Sequence, residues 1–453
     1  MRIARLLALL LSVALVAAAC SSGDDDATTA ADEVDDGAAA PTADAEEGDD
    51  GAESTTTTVF EVEGEKVTFD PPLEGPFGTD GGTTTDIDTA SLIVDDDPSL
   101  PGTLSRLPWD TDWTQRTVED WDEFLAGLPQ SDPRDGIPPI DEPIFESPAL
   151  AAEWLAPNDP GALVQVNGEA RFYPLSIMTR HEIVNDAFGD VPVAVTFCPL
   201  CNTAIAFDRR VGDEVLRFGV SGLLRNSDLV MWDDQTTSLW QQLTGEGVVG
   251  TYAGVELEFV PTSIVSFAQF AENFPEGWSL AAESALGRGT YGANPYVGYS
   301  SSSTPFLFDG TTDDRLPALS RVVGVSDGDT VASYAFEDLA ANQVVNDEVD
   351  GRPLAVFWQS GTSDALDGPR IADSQNIGTA IAHDPVVDGE TLTFTVESDG
   401  VYVDDQTGST WSVVGIATDG PLAGSRLGAV EHRNEFWFAW QAFFGPDNLR
   451  AVG

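Results

Sequence analysis

Four sequence blocks occur twice in this chain in the same order, and this internal repeat constrains the fold more than any other feature. The two copies of each block share turn residues and apolar residues at matching positions. The first copies are residues 173–186, 232–240, 252–257 and 266–275, and the second copies are residues 334–347, 403–411, 422–427 and 437–446. Blocks repeated in a fixed order predict two copies of one structural unit.

The residues within and between these blocks favour β-structure. Short apolar runs rich in Val, Thr and Phe, which are typical of strands, occur at 162–166, 215–220, 391–396 and 410–415. Helical periodicity is confined to residues 118–128, 175–186, 263–273 and 435–444. We therefore expect an α+β fold in which sheet is dominant, with an internally duplicated β-rich body and few short helices.

The N-terminus has the pattern of an export signal. Arg2 and Arg5 precede an apolar run at 6–16, and three alanines lead to Cys20. The apolar run is too short to span a bilayer, so it predicts a cleaved signal peptide. A cysteine at the cleavage site predicts a lipoprotein anchored to the cell membrane on its extracytoplasmic face through lipidated Cys20. The alternative is an ordinary secretory signal in which that cysteine is incidental.

Charge restricts the partners of the chain. Residues 21–58 contain no aromatic residue, Lys or Arg, and such a segment cannot bury enough apolar area to fold. The whole chain carries a formal net charge of −57. A surface this acidic repels phosphate backbones, so we expect no nucleic-acid partner. The sequence indicates the membrane as a partner and identifies no protein partner.

Composition and repeats together divide the chain into six segments. We expect a lipoprotein signal peptide at 1–20, a disordered acidic tether at 21–58, an N-terminal extension at 59–130, a first repeat at 131–290, a connecting segment at 291–330 and a degenerate second repeat at 331–453.

A Cys-x-x-Cys pair in the first repeat carries the clearest chemical signal. Cys198 and Cys201 follow an apolar run that reads as a buried strand, and His181 lies on an apolar helical face upstream. Two thiols and an imidazole are soft or borderline ligands, so this trio predicts a thiophilic metal, with copper favoured over zinc, for metal handling or transfer. The fourth ligand is left open. The candidates for it are Met231, His432, Glu182, Asp228 and water.

The second repeat lacks these ligands. Shifting the sequence by 161 residues aligns Asn185 with Asn346, and it places Asn342, Gln359 and Thr362 at the positions of His181, Cys198 and Cys201. The first repeat is therefore where we expect the site. No other cofactor is indicated, because the chain has neither a phosphate-binding glycine-rich loop nor a dinucleotide fingerprint.

Two other interpretations of the cysteine pair remain open. Outside the cytoplasm a close pair oxidises readily, so the pair could serve an enzyme of thiol–disulfide or other redox chemistry. It could also be a structural disulfide in a non-catalytic scaffold. The sequence does not decide whether the protein is an enzyme.

A polar loop in the first repeat allows two roles. It could bind a small anion through its arginine, or its Asn and Asp side chains could hold a turn, which we favour. The residues concerned are Ser221, Arg225, Asn226, Ser227 and Asp228.

Several of these segments carry a family resemblance. Residues 135–143, 181–186, 197–204, 218–231 and 238–246 resemble the bacterial and archaeal domain-of-unknown-function family 3179. The resemblance implies an exported or lipid-anchored protein and no particular activity. One departure is Asn202, where the family pattern leads us to expect glycine.

Overall fold

Strands make up 41% of the structure and helices 12%, in repeated small sheets with a propeller-like arrangement. The computed structural model describes residues 59–61, 66–69, 91–285, 287, 291–328 and 330–452. The expected dominance of sheet is confirmed. The predicted signal peptide, lipidation site and tether lie outside the described residues, and the predicted segment boundaries stay predictions.

Short strands precede β7 (Pro160–Val166), the strand at which the duplicated element order begins. They are β1 Val59–Glu61, β2 Lys66–Phe69, β3 Ile93–Val94, β4 Gln115–Arg116, β5 Phe124–Ala126 and β6 Phe145–Glu146, with a 3-10 turn at Trp121–Glu123 and helix α1 at Pro148–Ala151. Among the described residues, no helix is both long and apolar enough to cross a bilayer.

The strands of the first repeat belong to four sheets, one of which is the two-stranded hairpin at residues 210–215. Its elements are β7 Pro160–Val166, β8 Glu169–Pro174, α2 Leu175–His181, β9 Ile183–Phe188, β10 Val191–Cys198, β11 Thr203–Asp208, β12 Arg210–Val211, β13 Glu214–Val215, β14 Phe218–Arg225, β15 Asp228–Asp233, β16 Leu239–Gln241, β17 Gly247–Val249, β18 Phe259–Val260, β19 Thr262–Ser266, α3 Phe267–Asn273 and β20 Trp278–Leu280. A 3-10 turn follows at Ala282–Ser284.

The second repeat has the same element order. Its elements are β21 Arg321–Asp327, β22 Thr330–Ala335, α4 Phe336–Asn342, β23 Val344–Val349, β24 Arg352–Gln359, β25 Thr379–Asp384, β26 Val386–Val387, β27 Glu390–Thr391, β28 Phe394–Ser398, β29 Val401–Asp404, β30 Thr410–Trp411, β31 Ala417–Asp419, β32 Gly428–Ala429, β33 His432–Phe436 and α5 Trp437–Phe444. A 3-10 turn lies at Ile371–Asp373.

Strand pairing follows the duplication. The order β18-β11-β10-β9 in the first repeat corresponds to β32-β25-β24-β23 in the second. Likewise β17-β16-β15-β14 corresponds to β31-β30-β29-β28, and β8-β7-β19 corresponds to β22-β21-β33. Corresponding positions in the two repeats therefore have corresponding neighbours.

Hydrogen bonds reproduce the repeat at atomic level. The Trp240 indole donates to Asp233 at 2.9 Å, and the Trp411 indole donates to Asp404 at the same distance. The Ser238 and Ser409 backbone N–H groups donate to the respective carboxylates at 3.1 Å. These tryptophans are fully buried. Their recurrence comes from a shared core motif in which the carboxylate closes a turn and satisfies the indole.

The four predicted helices are only partly present. Residues 118–128 are not a helix, because Phe124–Ala126 pairs with the edge of β14 after a short 3-10 turn. Helix α2 ends at His181, where Glu182 adopts a left-handed backbone with φ of 58° that starts strand β9. The other two segments begin as strands β19 and β33 and become helical at Phe267 and Trp437. A short helix after a strand presents mixed periodicity, which hides the boundary.

Candidate metal centre

The cysteine pair lies in a buried hairpin loop. Strand β10 pairs with β11 in a register that ends at Cys198 opposite Thr203, so Cys201 falls in the four-residue connection. Asn202 closes this loop with φ of 57°. Asparagine tolerates the left-handed region, so the glycine expected from the family pattern is not required here. Both cysteines are free thiols, 1% and 0% exposed.

A second hairpin places Asp228 against these thiols. The two residues that join β14 to β15, Asn226 and Ser227, have φ of 53° and 65°, as a tight type I′ turn requires. Sulfur atoms of Cys198 and Cys201 and a carboxylate oxygen of Asp228 all lie within 4.8 Å of one another. In the part of the chain that the structure describes, this is the group of Cys, His, Asp and Glu side chains close enough to hold a metal ion.

N–H groups donate hydrogen bonds to one oxygen of Asp228 and not to the other. Oδ2 accepts from the Gln241 side chain at 2.6 Å and from the Leu243 backbone at 3.0 Å. Oδ1 is inaccessible, and no N–H or O–H group of the described residues donates to it; the polar neighbours that the carboxylate has besides Gln241 and Leu243 are the thiols of Cys198 and Cys201. Gln241 and Leu243 thus orient the carboxylate through one oxygen, while the other oxygen is buried beside the thiols. This is the arrangement of a metal ligand that is held by outer-shell donors.

The electrostatics of the group favour protons or a cation. Burial raises the pKa of Asp228 to about 6, against the hydrogen bond from Gln241. Burial also raises the pKa of both thiols, and the charge of Asp228 raises them further. No Lys or Arg of the described residues forms an ion pair with Asp228. Uncharged thiols and a raised carboxyl pKa are the expected state when no cation is bound.

Glu182 is a further buried acid near the group, outside the three side chains whose ligand atoms lie within 4.8 Å of one another. It is 7% exposed, and its carbonyl oxygen accepts from the Phe197 backbone at 2.7 Å, next to Cys198. Burial raises the pKa of Glu182 to about 8, and the charge of Asp228 adds to that rise. The charge of Glu182 in turn raises the pKa of the Cys198 thiol.

His181 has other partners for its ring. Nδ1 lies 2.7 Å from the Pro138 carbonyl oxygen, and Nε2 lies 2.8 Å from the Tyr291 hydroxyl. A carbonyl can only accept, so Nδ1 donates and Nε2 accepts from the tyrosine. Both ring nitrogens are thus engaged, and burial lowers the pKa of the imidazole. The structure brings Asp228, and not His181, into the group with the two thiols.

The other candidate residues have separate environments. His432 is hydrogen-bonded to the Val430 carbonyl at 2.9 Å and to Ser263 at 3.2 Å. Met231 is buried in β15, three positions beyond Asp228, and residues at this spacing point to opposite faces of a strand.

The polar loop divides into two parts. Arg225 pairs with Glu123 at 2.7 Å, and Ser221 donates to the Val230 carbonyl at 2.5 Å within a bulge of β14. These two side chains therefore have structural partners. The tip of the loop, in contrast, contacts the thiols, since the Ser227 carbonyl lies 3.6 Å from the Cys201 sulfur.

Residues 291–308, which we name the cover segment, lie over this group. The Tyr299 hydroxyl donates to the Leu200 carbonyl at 2.9 Å, inside the cysteine loop. The Tyr296 hydroxyl donates to Glu182 at 3.4 Å, and Ser227 donates to the Phe306 carbonyl. Three hydrogen bonds therefore attach the cover segment to the cysteine loop, to Glu182 and to the tip of the β14–β15 hairpin.

The corresponding position in the second repeat is a neutral, hydrogen-bonded cluster. Gln359 ends β24 as Cys198 ends β10, and its side chain accepts from Gln269 at 3.0 Å. Thr362 and Thr379 are hydrogen-bonded to each other at 2.7 Å. At the two positions that correspond to the cysteines, the second repeat has neutral side chains that are hydrogen-bonded. This matches the loss of the cysteine ligands expected from the sequence.

One protein family matches the part of the chain that contains the candidate centre. The family described as "Protein of unknown function (DUF3179)" matches residues 134–447, more than half of the chain. The chain belongs to the DUF3179 family. No curated protein and no solved structure matches it. The DUF3179 match includes both hairpins of the candidate centre and both repeats, so the resemblance expected from the sequence is confirmed.

The sequence pattern indicated Asp228 only as part of a polar turn and as one of the possible fourth ligands. Nothing in the local pattern distinguishes it from its neighbours, because the contact with the thiols depends on how two distant hairpins pack. The signal that remains in the sequence is a carboxylate directly after a turn in the repeat that keeps its cysteines.

Proposed function

We propose that this protein binds one thiophilic divalent cation through Cys198, Cys201 and Asp228. The observation that carries the proposal is the fully buried Oδ1 of Asp228, to which no N–H or O–H group of the described residues donates, in a group with two free thiols. Tetrahedral zinc geometry separates neighbouring sulfur and oxygen ligands by about 3.5–3.8 Å, so a group within 4.8 Å needs only small side-chain shifts to close around an ion.

The donor set supports zinc over copper. Two thiolates with a carboxylate suit a borderline cation, whereas Cu(I) favours sulfur ligands without a hard oxygen. The preference for copper that followed from a histidine and two cysteines therefore shifts to zinc when Asp228 replaces His181 as the third ligand. The closed position of the thiols supports retention of the ion in the folded protein rather than rapid transfer.

Burial argues against thiol–disulfide exchange at the same pair. Exchange requires an accessible thiolate, and both thiols here are buried with raised pKa values. Burial does not disfavour cation binding in the same way. A cation replaces the thiol protons as it binds, and its positive charge offsets the energetic cost of burying two thiolates.

The place of this activity is the extracytoplasmic face of the cell membrane, with Cys20 as the lipid-modified anchor. Support comes from the N-terminal sequence pattern alone. An oxidising location would expose free thiols to disulfide formation, and a bound cation would protect them.

Metal analysis of the purified protein tests the proposal. Protein prepared without chelators should contain or take up one zinc per chain, with both thiols unreactive until the metal is removed. Cys201→Ser should lose most of the metal, while Thr362→Ser, at the corresponding position of the second repeat, should keep it. Wild-type protein that binds no stoichiometric metal would refute the proposal.

A further inference from the structure

We propose that Glu182 is the fourth ligand of this cation and closes the site from the side of the cover segment. This inference rests on the proposed cation site and adds the residue that completes it. Three protein ligands leave one position of a tetrahedral zinc centre open, and a structural zinc site is normally closed by a fourth.

The backbone holds Glu182 beside the cysteine loop. Its carbonyl accepts from Phe197, the residue before Cys198, at 2.7 Å. Its left-handed φ of 58° is unusual for a residue with a side chain and directs the chain sharply from α2 into β9. An exposed charged residue could serve such a turn equally well, yet this glutamate is buried, which has a cost unless the carboxylate gains a partner.

The hydrogen bond to Glu182 is weak for a buried acid. The Tyr296 hydroxyl lies 3.4 Å from Oε1, near the limit of a hydrogen bond. A tyrosine at this position suits an outer-shell donor, which would orient the carboxylate when the other oxygen binds an ion.

The second repeat provides an internal comparison. Gln343 ends α4 with φ of 63°, as Glu182 ends α2, and its amide donates to Asp399 at 3.1 Å. Asp399 lies at the tip of the corresponding hairpin, and it precedes Asp404 by as many residues as Asp228 precedes Asp233. The two side chains at these positions therefore meet directly in the second repeat.

At the corresponding positions the first repeat has two carboxylates, Glu182 and Asp228, whereas the second repeat has an amide and a carboxylate. An amide and a carboxylate form a hydrogen bond without a cation. Two carboxylates beside two thiols repel one another when ionised, so they require protons or a bound cation between them. The ligand set we infer is Cys198, Cys201, Asp228 and Glu182.

Cobalt substitution tests this assignment. Co²⁺ bound by the wild-type protein should show the intense visible bands of a four-coordinate site with thiolate charge transfer, and added imidazole should not change them. Glu182→Gln, which installs the amide of Gln343, should weaken binding by about 100-fold or more, because even outer-shell partners account for 10–100-fold. It should also let imidazole enter the open position and shift the bands.

Two further variants complete the test. Glu182→Asp keeps the charge but retracts the carboxylate, and it should weaken binding by about tenfold. Glu276→Gln, an exposed site with the same change of charge, should bind as wild type. Wild-type affinity and imidazole-insensitive bands in either Glu182 variant would overturn the inference while leaving the three-ligand site intact. Absence of cobalt binding in the wild type would instead refute the site itself.

Discussion

The backbone N–H of Phe436 donates to the carbonyl oxygen of Cys201 at 2.9 Å. The last strand of the second repeat thus packs on the cysteine loop of the first. Beside this contact lies Glu435, which is fully buried and whose carboxylate oxygens have no hydrogen-bond partner among the described residues. The second repeat therefore supports the cysteine loop and adds a buried acid near the candidate centre.

Glu435→Gln should stabilise the protein increasingly as pH rises. Burial raises the pKa of Glu435 to about 8, opposed by Arg433. The unfolded chain releases this proton above about pH 4.3, whereas the folded protein keeps it to about pH 8, so the wild type loses stability across this window. Denaturant unfolding at pH 5 and pH 8 should show the advantage of the variant growing by a few kcal/mol at most. A pH-independent difference would contradict the raised pKa.

Asp233→Asn and Asp404→Asn should destabilise the protein to a similar extent. Each carboxylate accepts from a buried indole at 2.9 Å and from backbone and hydroxyl donors of its own turn. Loss of charged hydrogen bonds of this kind costs about 2–4 kcal/mol. Equal losses in urea unfolding would support equivalent roles in the two repeats. A loss in only one of the two variants would show that the duplicated hydrogen bonds differ in energy.

Tyr299→Phe should make the thiols of the metal-free protein more reactive. The tyrosine hydroxyl ties the cover segment to the Leu200 carbonyl at 2.9 Å, and removing a hydrogen bond of about 1 kcal/mol should raise the open population about fivefold. The rate of modification of Cys198 and Cys201 by a thiol reagent measures this population. Tyr252→Phe, which removes a hydroxyl bound to Glu214, is the control. Equal rates in the two variants would contradict the covering role.

Cys20→Ser should release the protein from the membrane. The signal pattern around Cys20 predicts a diacylated anchor, and a serine cannot be lipidated in its place. Fractionation of cells that produce each form measures the effect. A membrane-bound variant would contradict anchoring at this residue.

The sequence predicted the duplicated architecture better than the site. Repeated blocks report on the fold directly, because Trp240 and Trp411 occupy the same hydrogen-bonded turn in each copy. The apolar run before Cys198 also identified the strand that positions the pair.

The third ligand could not be predicted in the same way. His181 follows an apolar helical pattern, but its ring is directed to the Pro138 carbonyl and to Tyr291, two partners distant in sequence. Asp228 reaches the thiols because one hairpin tip packs on another, and periodicity carries no information about such long-range contacts.

X-ray absorption spectroscopy at the zinc edge of the zinc-loaded protein tests the central claim most directly. We predict two sulfur scatterers at about 2.3 Å and oxygen scatterers at about 2.0–2.2 Å, with the sulfur shell reduced to one in Cys198→Ser. A spectrum fitted by nitrogen and oxygen alone, or unchanged in that variant, would contradict a metal centre built on Cys198, Cys201 and Asp228.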